Sequence, residues 1–113
     1  MSKRDAKLLI EDMLESCFKI KKYVEGHTFE TFLNDDKTID ATIRNFEIIG
    51  EAANHIDEDC KYMTPLIDWN HLRGFRNRIV HEYFGIDYEI VWTIINENLD
   101  DLIEELKIIL NQL

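Results

Sequence analysis

The sequence predicts an all-α protein, and three observations lead to that prediction. Only four glycines and one proline occur in 113 residues, so the chain has few of the breakers that many short strands would need. The apolar residues are mainly Ile, Leu and Phe, and they recur at helical spacing. Hydrophobic residues make up 45% of the chain, which is ample for a packed core, and the length suits a single domain over residues 1–113.

The first two main helices follow from their apolar stripes. A first helix is predicted from about residue 2 to Val24, and Gly26 is a favourable stop. A short helical turn is expected next, with Thr28 as its cap. A second helix is predicted over residues 36–55, where the small residues Gly50 and Ala53 would let a neighbouring helix approach closely.

The remaining two main helices lie beyond a connector. Residues 56–68 include the breaker Pro65 and are expected to join the second helix to the third. Asp68 is a suitable cap for a third helix over residues 69–83, which Gly85 would end. Asp87 would cap a fourth helix, whose apolar stripe continues to Leu113. The expected architecture is an up-and-down bundle of four main helices plus a short helical turn.

The charge of the chain limits what it can bind. Thirteen Lys and Arg face 23 Asp and Glu, so the net charge is −10. A general nucleic-acid binder needs a basic surface, which this composition does not supply. A local basic cleft remains compatible with it. Affinity for nucleic acid is then expected to be weak and to fall steeply with salt, or to depend on a partner that supplies positive charge.

Several features indicate a cytoplasmic protein. Cys17 and Cys60 form no CxxC pattern, and we expect both to be reduced and buried. The charged N-terminal segment does not resemble a signal peptide, so secretion is not expected. No apolar run approaches the 18 or more residues that a membrane-spanning helix needs.

The densest group of functional side chains is the segment RGFRNRIVHEYFGID, residues 73–87. On a helix, Arg73, Asn77 and His81 stand four residues apart and would share one face. Arg76 precedes His81 by five residues, so its long side chain could swing to the same cleft, or a second subunit could supply it. We name this segment the motif segment.

These side chains suit phosphodiester cleavage without a metal. A histidine such as His81 can move protons near neutral pH, at the attacking 2′-hydroxyl and at the leaving oxygen. A guanidinium such as that of Arg76 can stabilise the negative charge that accumulates on the phosphate oxygens, and Asn77 could orient the phosphate or the imidazole. The plainer interpretation is a surface histidine, with arginines that complement the dipole of a helix C-terminus.

The motif segment resembles the HEPN superfamily, and specifically its HepT-like toxins. These proteins carry an R-x-x-x-x-H-x-Y motif with a polar residue directly after the Arg. The matching residues in this chain are Arg76, Asn77, His81 and Tyr83. The resemblance covers nearly the whole chain. Its further parts are DATIRNFEIIGEAA at residues 40–53, the spacing from Pro65 to Trp69, RGFRN, HEYFGID, and VW at residues 91–92.

The resemblance implies a homodimeric RNase whose two R-x-x-x-x-H motifs meet in one cleft at the dimer interface. It also implies a minimal nucleotidyltransferase antitoxin that transfers AMP from ATP onto Tyr83. A bulky anionic nucleotide beside His81 would block the cleft and repel RNA phosphate. The expected partners are therefore a second copy of the chain, the antitoxin, and a tRNA or mRNA substrate. The antitoxin and the dimer would form a larger hetero-oligomer in some assemblies.

Other titratable residues have less specific interpretations. Glu47 and Glu51 are one helical turn apart, with Arg44 three residues before Glu47, and an ion-pair ladder that also holds Arg76 is the simpler interpretation. The alternative is that Glu47 or Glu51 orients a catalytic group. We also assign a supporting role to Arg73.

We expect no metal and no cofactor in this chain. Its histidines form no metal-ligand pattern with the cysteines, and HExxH is absent. There is no glycine-rich phosphate loop, so the partner is expected to bind the ATP.

The sequence is also compatible with two alternative functions. One is a non-catalytic, nucleotide- or protein-binding regulatory partner of a nucleotidyltransferase, a role that an acidic surface would suit. The other is a purely structural helical dimerisation domain, in which Arg76 and His81 would affect nothing except stability.

Overall fold

The computed structural model describes residues 3–62, 67–69, 72, 74, 80, 81 and 85–113. Six helices and one two-stranded sheet lie in these ranges. The helices are α1 (Lys3–Val24), α2 (Phe29–Leu33), α3 (Asp36–His55), α4 (Glu58–Tyr62), α5 (Tyr88–Glu97) and α6 (Leu99–Gln112). The strands are β1 (Val80–His81) and β2 (Gly85–Ile86). The predicted all-α class is confirmed, because helices make up nearly all of the regular structure in the described residues.

The core lies where α1 packs against α3 and α6. One face of α1 is fully buried and carries the apolar residues that the helical spacing predicted. On α3 the facing positions are Phe46, Ile49 and Ala53, each at most 2% exposed. The buried face of α1 consists of Ile10, Met13, Cys17 and Ile20. Burial of these side chains is the main stabilising contribution, about 1.5–3 kcal/mol for each large aliphatic residue.

Helix ends follow the local sequence as expected. Gly26 has φ +78°, a left-handed conformation that glycine adopts without steric cost, and α1 ends just before it. Thr28 caps α2, because its Oγ1 accepts a hydrogen bond from the Thr31 amide at 3.2 Å. The Thr31 hydroxyl accepts one from the Thr28 amide at 2.9 Å, which completes a capping box. Asp87 caps α5 by accepting from the Ile90 amide at 3.1 Å.

Small residues on α3 allow the close approach that the sequence predicted. A Cβ atom at Gly50 would lie 3.5 Å from the carbonyl oxygen of Leu72. The backbone at Leu72 is helical, and its N–H donates to the carbonyl of Asp68 at 3.1 Å. The helix predicted to begin after Asp68 is therefore confirmed at its start. Pro65 lies outside the described residues.

The prediction that the third helix extends to residue 83 is wrong. Val80 and His81 do not continue a helix; they form β1, which pairs antiparallel with β2. Val80 stands opposite Ile86, and β-branched residues suit paired strands. Gly85, opposite His81, has φ +77°, which few other residues would adopt at a chain reversal.

Two other boundaries differ from the prediction. The expected fourth helix is divided into α5 and α6 at Asn98, although the buried apolar stripe continues through both. Asparagine has a low helix propensity, so an interruption of the helix at this position costs little free energy. Within the predicted connector, α4 forms because the Asp57 carboxylate accepts from the Cys60 amide at 2.8 Å.

Both cysteines are free and buried, as predicted. Burial raises the pKa of the Cys17 thiol to about 12, so this side chain is a neutral core residue. Trp69 is buried, whereas Trp92 is partly buried, and the ring centroids of Trp92 and Phe32 lie 5.2 Å apart. In the described ranges no helix combines the length and the apolar character that a membrane span requires.

Candidate active site

The structure describes only part of the motif segment. The backbone of His81 lies in β1, whereas Arg73, Arg76, Asn77 and Tyr83 are outside the described residues. Their assignment as catalytic, supporting or modified residues therefore stays a prediction. The side chain of His81 is likewise outside what the structure describes.

The shared helical face predicted for Arg73, Asn77 and His81 does not extend to His81. Because His81 lies in a strand, a spacing of four residues no longer sets its direction relative to the preceding helix. Its position is set instead by backbone pairing with Gly85 across the two-stranded sheet. Helical spacing in the sequence does not predict such a pairing between strands.

The hairpin ties the His81 backbone to the start of α5. Strand β2 leads directly to Asp87, whose carboxylate caps the helix. Three residues separate the two strands in the sequence, and Tyr83 is the middle one. A capped helix N-terminus next to a paired strand restrains the backbone on both sides of the cap.

A cavity of about 750 Å³ lies between α1 and α3 and includes the two supporting glutamates. Its lining includes Asp12 from α1 and Arg44, Glu47, Glu51 and His55 from α3. Both glutamates are exposed. The cavity thus combines one guanidinium with several carboxylates, and the contribution of Arg44 to a cavity was not part of the prediction.

The predicted ion-pair ladder is not present among the described residues. Arg44 forms no ion pair there with Glu47 or Glu51. Glu51 instead lies 3.0 Å from His55, measured from Oε1 to Nε2. This pair has the favourable spacing of four residues on α3. A contact of Glu47 or Glu51 with Arg76 stays a prediction, because Arg76 lies outside the described residues.

A second cavity, of about 410 Å³, borders the hairpin, and we call it the hairpin cavity. Its lining consists of Phe29, Leu33, Gly85, Ile86, Asp87, Tyr88 and Glu89. Leu33 and Tyr88 are exposed at 40% and 37%, so their side chains are accessible to a ligand in this cavity. The sequence patterns did not predict this cavity. The available signal was a pair of aromatic residues at helix starts, but their proximity depends on the tertiary structure.

The described residues contain no group of three His, Cys, Asp or Glu side chains arranged to hold a metal ion. The expectation that the chain uses no metal stays a prediction.

Comparison with known proteins decides the family. The model of the family described as HepT-like, Ribonuclease HepT-like, matches residues 13–109 of the chain. The chain belongs to the HepT-like ribonuclease family. This result confirms the resemblance that the motif segment indicated, and the matched range contains the whole of that segment.

Relatives are similar over nearly their full length. Two proteins of Methanocaldococcus jannaschii, each named "Putative RNase", are 37% and 35% identical to the chain. The first alignment covers 96% of this chain and 100% of the relative, and the second covers 100% and 93%. A protein of Thermococcus cleftensis, named "Probable ribonuclease HepT", is 38% identical over 88% of this chain and 91% of its own length. No solved structure matches the chain.

The hairpin lies within the part of the chain that matches the HepT-like family. The family match includes β1, β2 and the start of α5, so the backbone that positions His81 belongs to the part of the chain shared with the family. The residues that line the hairpin cavity also lie within the range that matches the family.

Proposed function

We propose that this HepT-like protein is a toxin that cleaves RNA phosphodiester bonds without a metal, in a cleft formed by two copies of the chain. The observation that carries the proposal is the family match across the motif segment, Arg73–Asp87. The relatives named as RNases, which align over nearly the whole chain, support the same activity. The proposed substrate is a cytoplasmic tRNA or mRNA.

The proposed reaction uses two histidines in different protonation states. Neutral His81 of one copy removes the proton from a ribose 2′-hydroxyl, and that oxygen attacks the adjacent phosphorus. The bond from phosphorus to the 5′-oxygen breaks as protonated His81 of the other copy donates a proton to the leaving oxygen. The products are a 2′,3′-cyclic phosphate and a 5′-hydroxyl. Histidine suits both roles because it is readily protonated and deprotonated near neutral pH.

Arg76 would supply the fixed positive charge in this scheme. Its guanidinium would stabilise the negative charge on the non-bridging phosphate oxygens, which increases toward the transition state, and Asn77 would orient the phosphate. The motif segment contains three arginines in a chain of net charge −10. Two copies meeting at one cleft would double that local positive charge, which addresses the difficulty of bringing RNA to an acidic protein.

The activity can be tested with two variants and a chelator. Total cellular RNA is incubated with the purified protein in EDTA, beside His81→Ala and, as a control that retains the motif, His27→Ala. His27 lies between α1 and α2 and is not among the residues that line either cavity. We expect the wild type and His27→Ala to cleave, and His81→Ala to lose at least about 100-fold in rate, the usual contribution of a general acid or base. Cleavage by a folded His81→Ala would contradict the proposal.

We further propose that the toxin is silenced by AMP on Tyr83. A nucleotidyltransferase antitoxin would direct the Tyr83 oxygen to the α-phosphorus of ATP, with release of pyrophosphate. The added phosphate would repel the RNA backbone beside His81. The proposal is supported by the position of Tyr83 in the sequence, between the two strands of the hairpin.

This regulation is tested by intact mass after incubation with ATP and the antitoxin. The wild type should gain the mass of one or more AMP units and lose cleavage, whereas Tyr83→Phe should gain no mass and stay active. Tyr88→Phe is the matched control, because Tyr88 is an exposed tyrosine nearby in the sequence, and it should be modified normally. Modification of Tyr83→Phe would overturn the assignment of the modified residue.

The net charge of −10 favours a second candidate function, a non-catalytic regulatory partner of a nucleotidyltransferase. This candidate predicts a tight complex with the nucleotidyltransferase and no RNA cleavage by any unmodified preparation. Calorimetry that detects neither the complex nor nucleotide binding would exclude it.

A further inference from the structure

We propose that the hairpin cavity binds one nucleobase of the RNA, next to the phosphate that is cleaved, and that it prefers a base with an exocyclic amine over uracil. The inference rests on the proposed function for the role of His81. It adds a substrate-recognition site formed by Phe29, Leu33, Tyr88 and Glu89. None of these residues lies in the R-x-x-x-x-H-x-Y motif.

The position of the cavity connects it to the reaction. Gly85 lines the cavity and pairs with His81 across the hairpin. Opposed Cα atoms in an antiparallel pair are about 4.5–5.5 Å apart, so the cavity begins one strand spacing from the His81 backbone. Apart from its chain neighbours, no residue that the structure describes has an atom within 4 Å of a Cβ atom built at Gly85, so the described residues leave this side of Gly85 open. RNA whose phosphate reaches His81 would therefore place a neighbouring nucleotide near this opening.

The walls of the cavity suit a flat aromatic ligand. The Phe29 ring is supported by Trp92, with ring centroids 6.1 Å apart, and it is only partly buried. Tyr88 and Leu33 are exposed, although both are large hydrophobic side chains. Nucleobases stack on aromatic side chains in single-stranded RNA sites. The volume of about 410 Å³ is within the range of small-molecule sites and accommodates a base with part of its ribose.

Two carboxylates in the lining of the hairpin cavity, those of Asp87 and Glu89, bear on which ligand it can bind. The Asp87 carboxylate accepts the capping hydrogen bond from Ile90. Glu89 is exposed, and its carboxylate has no hydrogen bond or ion pair with any other residue that the structure describes. A free carboxylate repels phosphate, so the cavity does not suit the RNA backbone. The Glu89 carboxylate can instead accept a hydrogen bond from the exocyclic amine of cytosine, adenine or guanine. Uracil has the carbonyl oxygen O4 where cytosine has its amine, so at that position it would present an acceptor to Glu89 instead of a donor.

The test compares two pyrimidines that differ at this edge. Fluorescein-labelled r(C)12 and r(U)12 are titrated with His81→Ala, which should not cut them, and binding is followed by fluorescence anisotropy. We expect r(C)12 to bind about tenfold more tightly, since hydrogen bonds to charged groups discriminate by this order. Adding Glu89→Ala should abolish the preference. Adding Glu97→Ala should retain it, because Glu97 is an exposed glutamate at the other end of α5.

The stacking wall is tested by a second pair of variants in the same background. Tyr88→Leu should weaken binding of both oligonucleotides by about tenfold, and Tyr88→Phe should restore it, because Phe keeps the ring that stacks. Circular dichroism confirms that each variant is folded. Equal affinities for r(C)12 and r(U)12, or a preference that survives Glu89→Ala, would overturn the inference.

These outcomes can be separated from those of the proposed function. If the wild type cleaves RNA but binding shows no preference, the ribonuclease proposal stands and the nucleobase site is excluded. If binding shows the Glu89-dependent preference but the wild type cuts no RNA in EDTA, the site stands as an RNA-binding feature and the proposed reaction is excluded.

Discussion

Thr42 shows how a single polar atom can affect the stability of this protein. The side chain is fully buried on α3, and its Oγ1 has no hydrogen-bond partner among the described residues. Asn45, three residues later, is also buried, but its Nδ2 donates to the carbonyl of Ala41 at 2.8 Å. A buried hydroxyl without a partner loses its hydration without compensation.

Replacement of Thr42 by valine should therefore stabilise the protein. Thr42→Val keeps the branched shape and removes the uncompensated hydroxyl, so we expect the free energy of unfolding to increase by about 1 kcal/mol. Thr42→Ser retains the hydroxyl and loses a buried methyl group, so it should decrease that free energy by about 1 kcal/mol. Urea denaturation measures both changes. A destabilised Thr42→Val would show that the hydroxyl is hydrogen-bonded.

The helix caps determine much of the local order at the scale of elements. Asp35 caps α3, and its Oδ1 accepts from the Thr38 amide at 3.1 Å. This backbone hydrogen bond is the main reason that the pKa of Asp35 lies below its ordinary value of 3.8, and nearby His27 lowers the pKa further. The ionised carboxylate is thus the form that stabilises the start of α3.

The cap makes the stability of the fold depend on pH in one direction. The pKa of Asp35 is lower in the folded state than in the unfolded state. The ionised Asp35 carboxylate therefore stabilises the fold fully above pH 3.8, and this contribution is lost as the pH falls through the pKa of the folded state. Asp35→Asn keeps an oxygen that can cap the helix but does not titrate. Between about pH 5 and about pH 2, we expect urea denaturation to show a larger loss of stability for the wild type than for Asp35→Asn. Parallel losses would contradict this role of the cap.

The composition of the whole molecule bears on how two copies would cooperate. Each chain has a net charge of −10, and its three clustered arginines lie in the motif segment. A cleft between two copies would contain six such arginines. The proposed reaction also needs two histidines in one cleft, one as base and one as acid.

We therefore expect the purified protein to be a dimer. Light scattering coupled to gel filtration should give about 27 kDa, twice the 13.5 kDa of one chain. An active species of 13.5 kDa would contradict the shared cleft. After subunit exchange with an excess of His81→Ala, the wild type should lose cleavage, because a mixed dimer would contain only one of the two histidines that the reaction needs.

The sequence by itself determined the helical class, most helix positions and the family. The apolar spacing predicted α1 and α3, because a helix that buries one face must repeat its apolar residues at that face. Gly26, Thr28 and Asp87 marked helix ends through interactions within a few residues. The order of Arg76, Asn77, His81 and Tyr83 indicated the HepT-like family, which the family match confirmed.

Only the tertiary structure decided how the site residues are arranged. His81 lies in a strand because its backbone pairs with Gly85, and such pairing depends on a chain reversal rather than on periodicity. The hairpin cavity brings Phe29 beside Tyr88, which lie far apart in the sequence. Glu51 pairs with His55 rather than with Arg44, since several partners were within reach along α3 and side-chain geometry selected one. Each of these contacts depends on three-dimensional packing, which local sequence patterns do not specify.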